Sequence, residues 1–283
     1  MKLKSKYENK IIWITGASSG IGEQIACRLS DLGAKLILSS RNENQLLKVA
    51  GKCNSRIPVK ILQLDLSDEK SLQGKFREAS ELFGSIDCLF NIAGVSHRDF
   101  ALNTNLEIDR RIMQINYFST IELTKLIIPG MIKQGGGHIV ATSSLSGKYG
   151  VPLLSAYAAS KHALHGFFDS LRGEIKDDRI KITIIIPGFI KTKITENALT
   201  GDGMKYGKGL EIHNKGISAY ICADKILYAV ANDKEEVFIG GREKITIFMN
   251  RIFPRTFAGV IRNHPVKKLN SIKTFLKFWK KKN

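Results

Sequence analysis

The chain has 283 residues, 43% of them hydrophobic, enough for one large α/β core of about 240 residues with an appendage, or for two smaller domains. No run approaches the ~18 uninterrupted apolar residues of a membrane span, and the start, Met1-Lys2-Leu3-Lys4-Ser5-Lys6-Tyr7-Glu8, lacks the apolar stretch of a secretory signal, so a cytoplasmic location is expected. The net charge is +18, and twelve Lys or Arg against one acid, Glu243, between Arg242 and Asn283 supply eleven of it.

Short apolar runs alternate with longer amphipathic segments, which predicts strands at Ile11–Thr15, Lys35–Ser39, Val59–Leu64, Asp87–Asn91, His138–Thr142, Lys181–Ile186 and Val237–Ile239. Helices fill the intervals, the longest near Leu106–Gln134 and Ser155–Lys176. This is the rhythm of repeated βα units: an α/β fold built on a doubly wound parallel sheet, with ligands at the carboxyl ends of its strands. Cys27, Cys53, Cys88 and Cys222 lie far apart in sequence without metal or disulfide-scaffold spacing, and reduced, packed thiols are expected.

Directly after the first strand comes Thr15-Gly16-Ala17-Ser18-Ser19-Gly20-Ile21-Gly22, then a helical pattern through Ile25, Ala26 and Leu29. Glycines at 16, 20 and 22 permit a tight turn, close approach of backbone to a pyrophosphate and close helix packing, and the helix N-terminus attracts the anion. The second strand ends in Ser40-Arg41, with no acid to accept ribose hydroxyls and a cation suited to a 2′-phosphate, so NADP(H) is expected rather than NAD. Asp65 and Leu66 follow the third strand, where the Asp65 carboxylate can accept from an adenine amino group or begin a helix cap. Asn91-Ile92-Ala93-Gly94 ends the fourth strand with small residues that let a dinucleotide pass.

Tyr157 and Lys161 are spaced as Y-x-x-x-K, with Ser144 thirteen residues upstream of Tyr157. Positions i and i+4 share a helix face, so the Lys161 ammonium can favour the ionised Tyr157, while Ser144 holds a substrate oxygen. By itself the spacing also fits a half-buried Tyr beside a solvated Lys. His162 and His165 share that helix without a third ligand nearby, and no metal is expected.

Taken together, these motifs resemble the short-chain dehydrogenase/reductase family from about Lys10 to Gly241, through T-G-x-x-x-G-x-G at 15–22, Asp65, N-x-A-G at 91–94, Asn116, Ser144, Tyr157-x-x-x-Lys161 and Pro187-Gly188. The resemblance implies a Rossmann-type sheet of about seven strands in the order 3-2-1-4-5-6-7. It implies Tyr157 as general acid/base, Lys161 as the group that lowers its pKa and binds the nicotinamide ribose, Ser144 on the substrate oxygen, and Asn116 anchoring a water that links Lys161 to solvent. Pro187-Gly188-Phe189-Ile190-Lys191-Thr192 would close over the nicotinamide, using backbone groups at Pro187, Gly188 and Ile190 and the Thr192 hydroxyl. Ile92 stands where the family often has a second Asn.

Finer resemblance, in Asn116-Tyr117-Phe118, in 160–172 and in the Gly-rich segment 200–209, is to the subgroup around the animal dehydrogenase/reductase member 7 proteins. More distantly the chain is similar to 11β-hydroxysteroid dehydrogenases and 3-oxoacyl reductases. The reading is therefore an NADP(H)-dependent oxidoreductase interconverting a carbonyl and a secondary alcohol on a hydrophobic substrate of ketoacyl, steroid or retinoid type. Its rival is an NADP(H)-binding redox sensor or scaffold without turnover. A homodimer or homotetramer, paired through the two long helices, is implied by resemblance only.

Residues 1–241 are expected to form the NADP-binding catalytic domain, within which 189–216, rich in glycine and without periodicity, reads as a surface loop or as a lid over the substrate. Residues 242–283 are expected to form a basic amphipathic helical extension: Ile245, Phe248, Met249 and Ile252 recur at helical spacing, as do Leu269, Ile272, Leu276 and Trp279 among lysines. That apolar face can pack on protein, rest on anionic lipid at the inner face of a membrane, or accompany nucleic-acid binding, the last without any recognisable module.

Overall fold

The computed structural model describes residues 2–175, 179–209 and 216–263. Its strands are β1 Ile11–Thr15, β2 Lys35–Ser40, β3 Val59–Gln63, β4 Cys88–Asn91, β5 Gly137–Thr142, β6 Ile180–Pro187, β7 Ile190–Lys191, β8 Ile217–Ser218 and β9 Glu236–Ile239. Seven of them form one parallel sheet in the order β3-β2-β1-β4-β5-β6-β9. The expected order is met, because the seventh strand of that sheet is β9. Between them, β7 and β8 pair separately as a short parallel ladder, Ile190 against Ile217 and Lys191 against Ser218, which no apolar run announced.

The inner strands are apolar on both faces because both faces are covered, while edge strand β3 exposes Lys60 and Gln63. On one side, Ile12, Ile14, Leu36 and Leu38 pack against α2 (Gly20–Asp31), α3 (Glu43–Ala50) and α8 (Ala219–Ala231) through Ile25, Leu29, Leu46, Ile226 and Leu227. On the other, Trp13, Ile37, Leu89 and Ile139 meet α4 (Glu69–Phe83), α6 (Ser119–Lys133) and α7 (Ser155–Glu174) through Leu72, Leu123, Ile127, Leu164 and Phe168. Alternation along each strand sends neighbours to opposite layers. The strand order reverses between β1 and β4, so the crevice of the sheet opens beyond Thr15 and Asn91.

The stretch expected as one helix over Leu106–Gln134 is α5 (Leu106–Met113), a π turn over Gln114–Phe118, and α6. The backbone runs on helically through the junction, and the wider turn inserts one extra residue within Gln114–Phe118. The fold also begins with α1 (Lys2–Tyr7), fixed by a hydrogen bond from the Tyr7 hydroxyl to the Leu227 carbonyl at 2.7 Å.

The described part of the Gly-rich segment is stitched to the loop after β4. Leu199 pairs with His97, its N–H donating to the Ser96 carbonyl at 2.9 Å and its carbonyl accepting from Arg98 N at 2.8 Å. Gly201 N donates to Asp99 Oδ2 at 2.9 Å, and a Cβ at Gly201 would lie 2.6 Å from the Asn103 carbonyl oxygen.

The extension carries α9 (Ile245–Ile252) and α10 (Pro254–Arg262). One face packs: Phe257 is buried and meets Tyr149 edge to face at 4.9 Å, Tyr149 Oη and Thr246 Oγ1 are 2.8 Å apart, and Asn250 Nδ2 donates to the Lys148 carbonyl at 3.2 Å. The other face, with Ile245, Phe248, Ile252 and Phe253, is at least 60% exposed at each position. The run Leu269–Trp279 lies outside the described residues.

Candidate active site

Two rims meet over the ends of β1 and β4. Thr15 Oγ1 lies between the Phe90 carbonyl and Ala93 N, 3.4 Å from each, and Gly16 (φ +72°) leaves no room for a Cβ, which would stand 2.7 Å from Ala93 N and Cα. Ser18 and Ser19 lead into α2, and Ser19 caps it without a side-chain bond, so the first-turn amides at Gly20, Ile21 and Gly22 are not taken up by the cap residue. Across the gap, Thr192 Cγ2 lies 3.2 Å from where a Cβ on Gly20 would sit. The glycine turn and the Pro187–Thr192 loop therefore form opposing walls.

Along the groove the predicted residues fall at successive strand ends. Arg41 is exposed just past β2, its carbonyl accepting from Gln63 Nε2 at 2.9 Å, and its guanidinium has no ion pair among the described residues. Asp65 Oδ1 accepts from Ser67 N and Oγ at 2.9 and 2.7 Å, an Asx turn ahead of α4, while Leu66 is buried. Asn91 is buried with its Nδ2 unpartnered among the described residues, its carbonyl accepting from Thr142 Oγ1 at 2.8 Å. Ile92, in place of a second Asn, packs on the apolar core instead.

Ser144, Tyr157, Lys161 and Asn116 come together from three elements. Ser144 caps a single 3-10 turn over Leu145–Gly147, its Oγ accepting from Ser146 N at 3.2 Å. Tyr157 and Lys161 share the buried face of α7, the Lys161 Nζ 5.8 Å from the centre of the tyrosine ring and donating to the Thr142 carbonyl at 2.7 Å. A Cβ on Gly94 would lie 3.2 Å from Asn116 Oδ1 and 3.3 Å from Lys161 Nζ, so both polar ends converge on that glycine.

The electrostatics differ from the expectation that Lys161 prepares the tyrosine. Burial pushes the Tyr157 phenol up, and the opposing influence is a hydrogen bond from Ser144, not the lysine. Lys161 is itself pushed down by burial to about 7, so it is poised between charged and neutral near physiological pH.

Sequence reasoning passed over Glu243. Its Oε1 accepts from Phe189 N at 3.1 Å and from Gly241 N at 2.9 Å, and the carboxylate abuts Gly188, where a Cβ would collide with it. Gly188 N in turn donates to the Ile239 carbonyl at 2.8 Å, and Ile190 beyond it is buried. The available signal was its standing as the one acid in residues 242–283. On α7, His162 Nδ1 meets the Ala158 carbonyl and His165 Nε2 meets Ser143 Oγ, each at 2.8 Å.

A family model described as short chain dehydrogenase matches residues 10–202. The chain belongs to the short-chain dehydrogenase family. Among its curated relatives, a dehydrogenase/reductase SDR family protein 7-like from Anopheles gambiae is 39% identical over 93% of this chain and 84% of its own length. Dehydrogenase/reductase SDR family member 7B from Bos taurus is 35% identical over 96% and 86%. In fold, this dehydrogenase is similar to a short chain dehydrogenase/reductase from Burkholderia phymatum in complex with NAD, with a TM-score of 0.77 at 22% identity over 87% of this chain and 94% of that one. Levodione reductase gives 0.75 at 24% identity, over 84% and 99%.

Proposed function

We propose that this short-chain dehydrogenase interconverts a carbonyl and a secondary alcohol with NADP(H), on a hydrophobic, lipid-like substrate. The observation that carries the reading is a buried Tyr157 with Lys161 one turn along the same helix face and Ser144 near enough to lower the phenol's pKa. In reduction, Tyr157 gives its hydroxyl proton to the substrate oxygen, and Ser144 donates a hydrogen bond to that oxygen as negative charge grows on it. Lys161, poised between charged and neutral, and Asn116, beside Gly94, stand at the start of a route for the proton's replacement.

The groove fits a nicotinamide dinucleotide. Uncapped amides at Gly20–Gly22 suit a pyrophosphate, the unpartnered Asn91 Nδ2 needs an acceptor, and Asp65 and Leu66 border the adenine end. When bound, the coenzyme supplies or accepts the hydride. Arg41, exposed and without an ion pair among the described residues, supports the 2′-phosphate form. Val95 and Leu199, packed on Ile108, Ile112 and Ala156, give an apolar wall beside Tyr157, which supports a hydrophobic substrate.

The test is NADPH oxidation across a panel of ketones and 3-oxoacyl compounds, with Tyr157→Phe as control. Turnover lost in the variant supports the reading, and NADPH binding without turnover on any carbonyl favours a sensor. Arg41→Ala should weaken NADPH far more than NADH, and an equal fall in both removes the assignment.

The extension supports peripheral contact with an anionic membrane. Its exposed Ile245, Phe248, Ile252 and Phe253 lie among Arg242, Lys244, Arg251 and Arg255. Cosedimentation with phosphatidylserine vesicles should drop on Phe248→Asp with Ile252→Asp. Unchanged binding would exclude this face.

A further inference from the structure

Two thiols far apart in sequence are neighbours in the fold. Cys27 lies mid-way along α2, half-buried, and Cys53 lies in the turn that ends α3, its N–H donating to the Ala50 carbonyl at 3.1 Å. Two contacts bracket the pair. On one side Lys52 Nζ meets Glu23 Oε1 at 2.7 Å. On the other, Asn54 N donates to Ser30 Oγ at 3.0 Å, and that hydroxyl donates to the carbonyl of Cys27 itself at 2.7 Å. With residues 52 and 54 pinned to 23 and 30, Cys53 sits buried in the apolar cluster on which Cys27 packs, and the two thiols are close enough to push one another's pKa in opposite directions.

We propose that Cys27 and Cys53 form a reversible disulfide when the protein meets a peroxide. The pair divides the two roles such a reaction needs. The Cys53 thiol holds Cys27 down at about 7 against burial and the Glu23 carboxylate, so a large share is thiolate at neutral pH, and its partial exposure admits a small oxidant. Cys53 is pushed up by donating to Cys27 and by burial, and waits as the resolving thiol. The Cys27 thiolate attacks one peroxide oxygen, an S–O bond forms as the O–O bond breaks, and the hydroxide released takes a proton to become water. Cys53 then loses its proton and attacks the Cys27 sulfur. The S–S bond forms, the S–O bond breaks, and a second water leaves. Two thiols and one hydrogen peroxide give one disulfide and two waters.

The other two cysteines set the contrast. Burial pushes Cys222 up to about 12 and Cys88 well above its ordinary value, so neither offers a thiolate. The pair ties α2, whose first turn faces the groove, to α3, which begins beside Arg41. The crosslink is therefore a modification of the adenosine side of the molecule, separate from Tyr157 and its partners.

The full-length protein is treated with hydrogen peroxide, blocked with iodoacetamide under denaturing conditions, digested and mapped by mass spectrometry. The expected product joins the Cys27 and Cys53 peptides with loss of two hydrogens, is reversed by dithiothreitol, and leaves Cys88 and Cys222 alkylated. In Cys53→Ser, Cys27 should stop at the sulfenic acid and be trapped by dimedone. Both thiols alkylated as fully after peroxide as before, or Cys27 driven to sulfinic acid without a crosslink in the unaltered protein, would overturn the proposal.

Discussion

Asn116 grips the backbone of Val95 at both of its polar groups: Oδ1 accepts the Val95 N–H at 2.8 Å and Nδ2 donates to the Val95 carbonyl at 2.9 Å. The same Nδ2 donates to Ser160 Oγ at 3.0 Å, one residue before Lys161 on α7. The π turn makes this reach possible by setting one extra residue into the helix where it passes the end of β4. A fully buried amide thus ties the loop after β4 to the helix that carries Tyr157.

Asn116→Ala strands the Val95 N–H and carbonyl in the interior. The expected loss is about 2 kcal/mol of stability, with faster hydrogen exchange at Val95 and a fall in turnover. Chemical denaturation and amide exchange read the first two. A variant with unaltered exchange at Val95 would show that this grip is not what holds the loop.

Lys161 is a buried cation that the site retains at a cost. Its folded pKa of about 7 lies below the ordinary lysine value of 10.5, so between those limits the unfolded chain holds the extra proton and stability rises with pH. Lys161→Met should abolish turnover and yet raise stability below pH 7, by on the order of 3 kcal/mol, with the gain shrinking toward pH 10.5. Unfolding curves of both proteins at pH 6.5 and 10 test the sign. A variant less stable at pH 6.5 would mean that the Thr142 hydrogen bond outweighs the desolvation.

The inner strands were legible because parallel strands covered on both faces read as apolar runs: Ile11–Thr15 is β1 to the residue, and the other six strands of the sheet differ at their ends by one residue at most. The contacts that finish the site were not, since they join residues distant in sequence without any period. Asn116 reaches Val95, Leu199 pairs with His97, Cys53 meets Cys27, and Glu243 reaches back to Phe189. The π turn was hidden for a different reason, because it joins α5 to α6 without a break, with ordinary helical angles at Gln114 and Phe118. Burial likewise decides the Tyr157 and Lys161 pKa directions, and spacing alone carries no measure of burial.

Glu243 couples the extension to the loop after β6. Burial raises its carboxyl, but hydrogen bonds from the backbone N–H groups of Gly241, Glu243 itself and Phe189 outweigh it, and the group stays below the usual carboxylate range. Glu243→Ala frees the Phe189 and Gly241 N–H groups beside Gly188, and the expected result is a KM for the coenzyme raised about tenfold with kcat within about twofold. Glu243→Gln keeps an acceptor oxygen and should recover most of the loss. Equal KM values for Ala and the unaltered protein would show that the loop holds its shape without this carboxylate.

Burial lowers three histidines, His97, His138 and His165, and the last two move furthest. His138 Nε2 sits 2.8 Å from Thr183 Oγ1, and His165 Nε2 sits 2.8 Å from Ser143 Oγ, whose hydroxyl also lies 3.1 Å from the Lys161 carbonyl. Burial lowers both to about 4, against the pull of Asp233 on His138 and of Glu236 and Asp169 on His165. A base whose folded pKa is depressed contributes stability that is complete above its unfolded value near 6.5 and lost as pH falls toward 4. Stability should therefore drop between pH 6.5 and 4. His138→Gln with His165→Gln should flatten that part of the curve, because neither glutamine takes up a proton. Denaturant midpoints at half-unit pH steps give the comparison, and a double variant that still loses stability as steeply would move the cause to other groups.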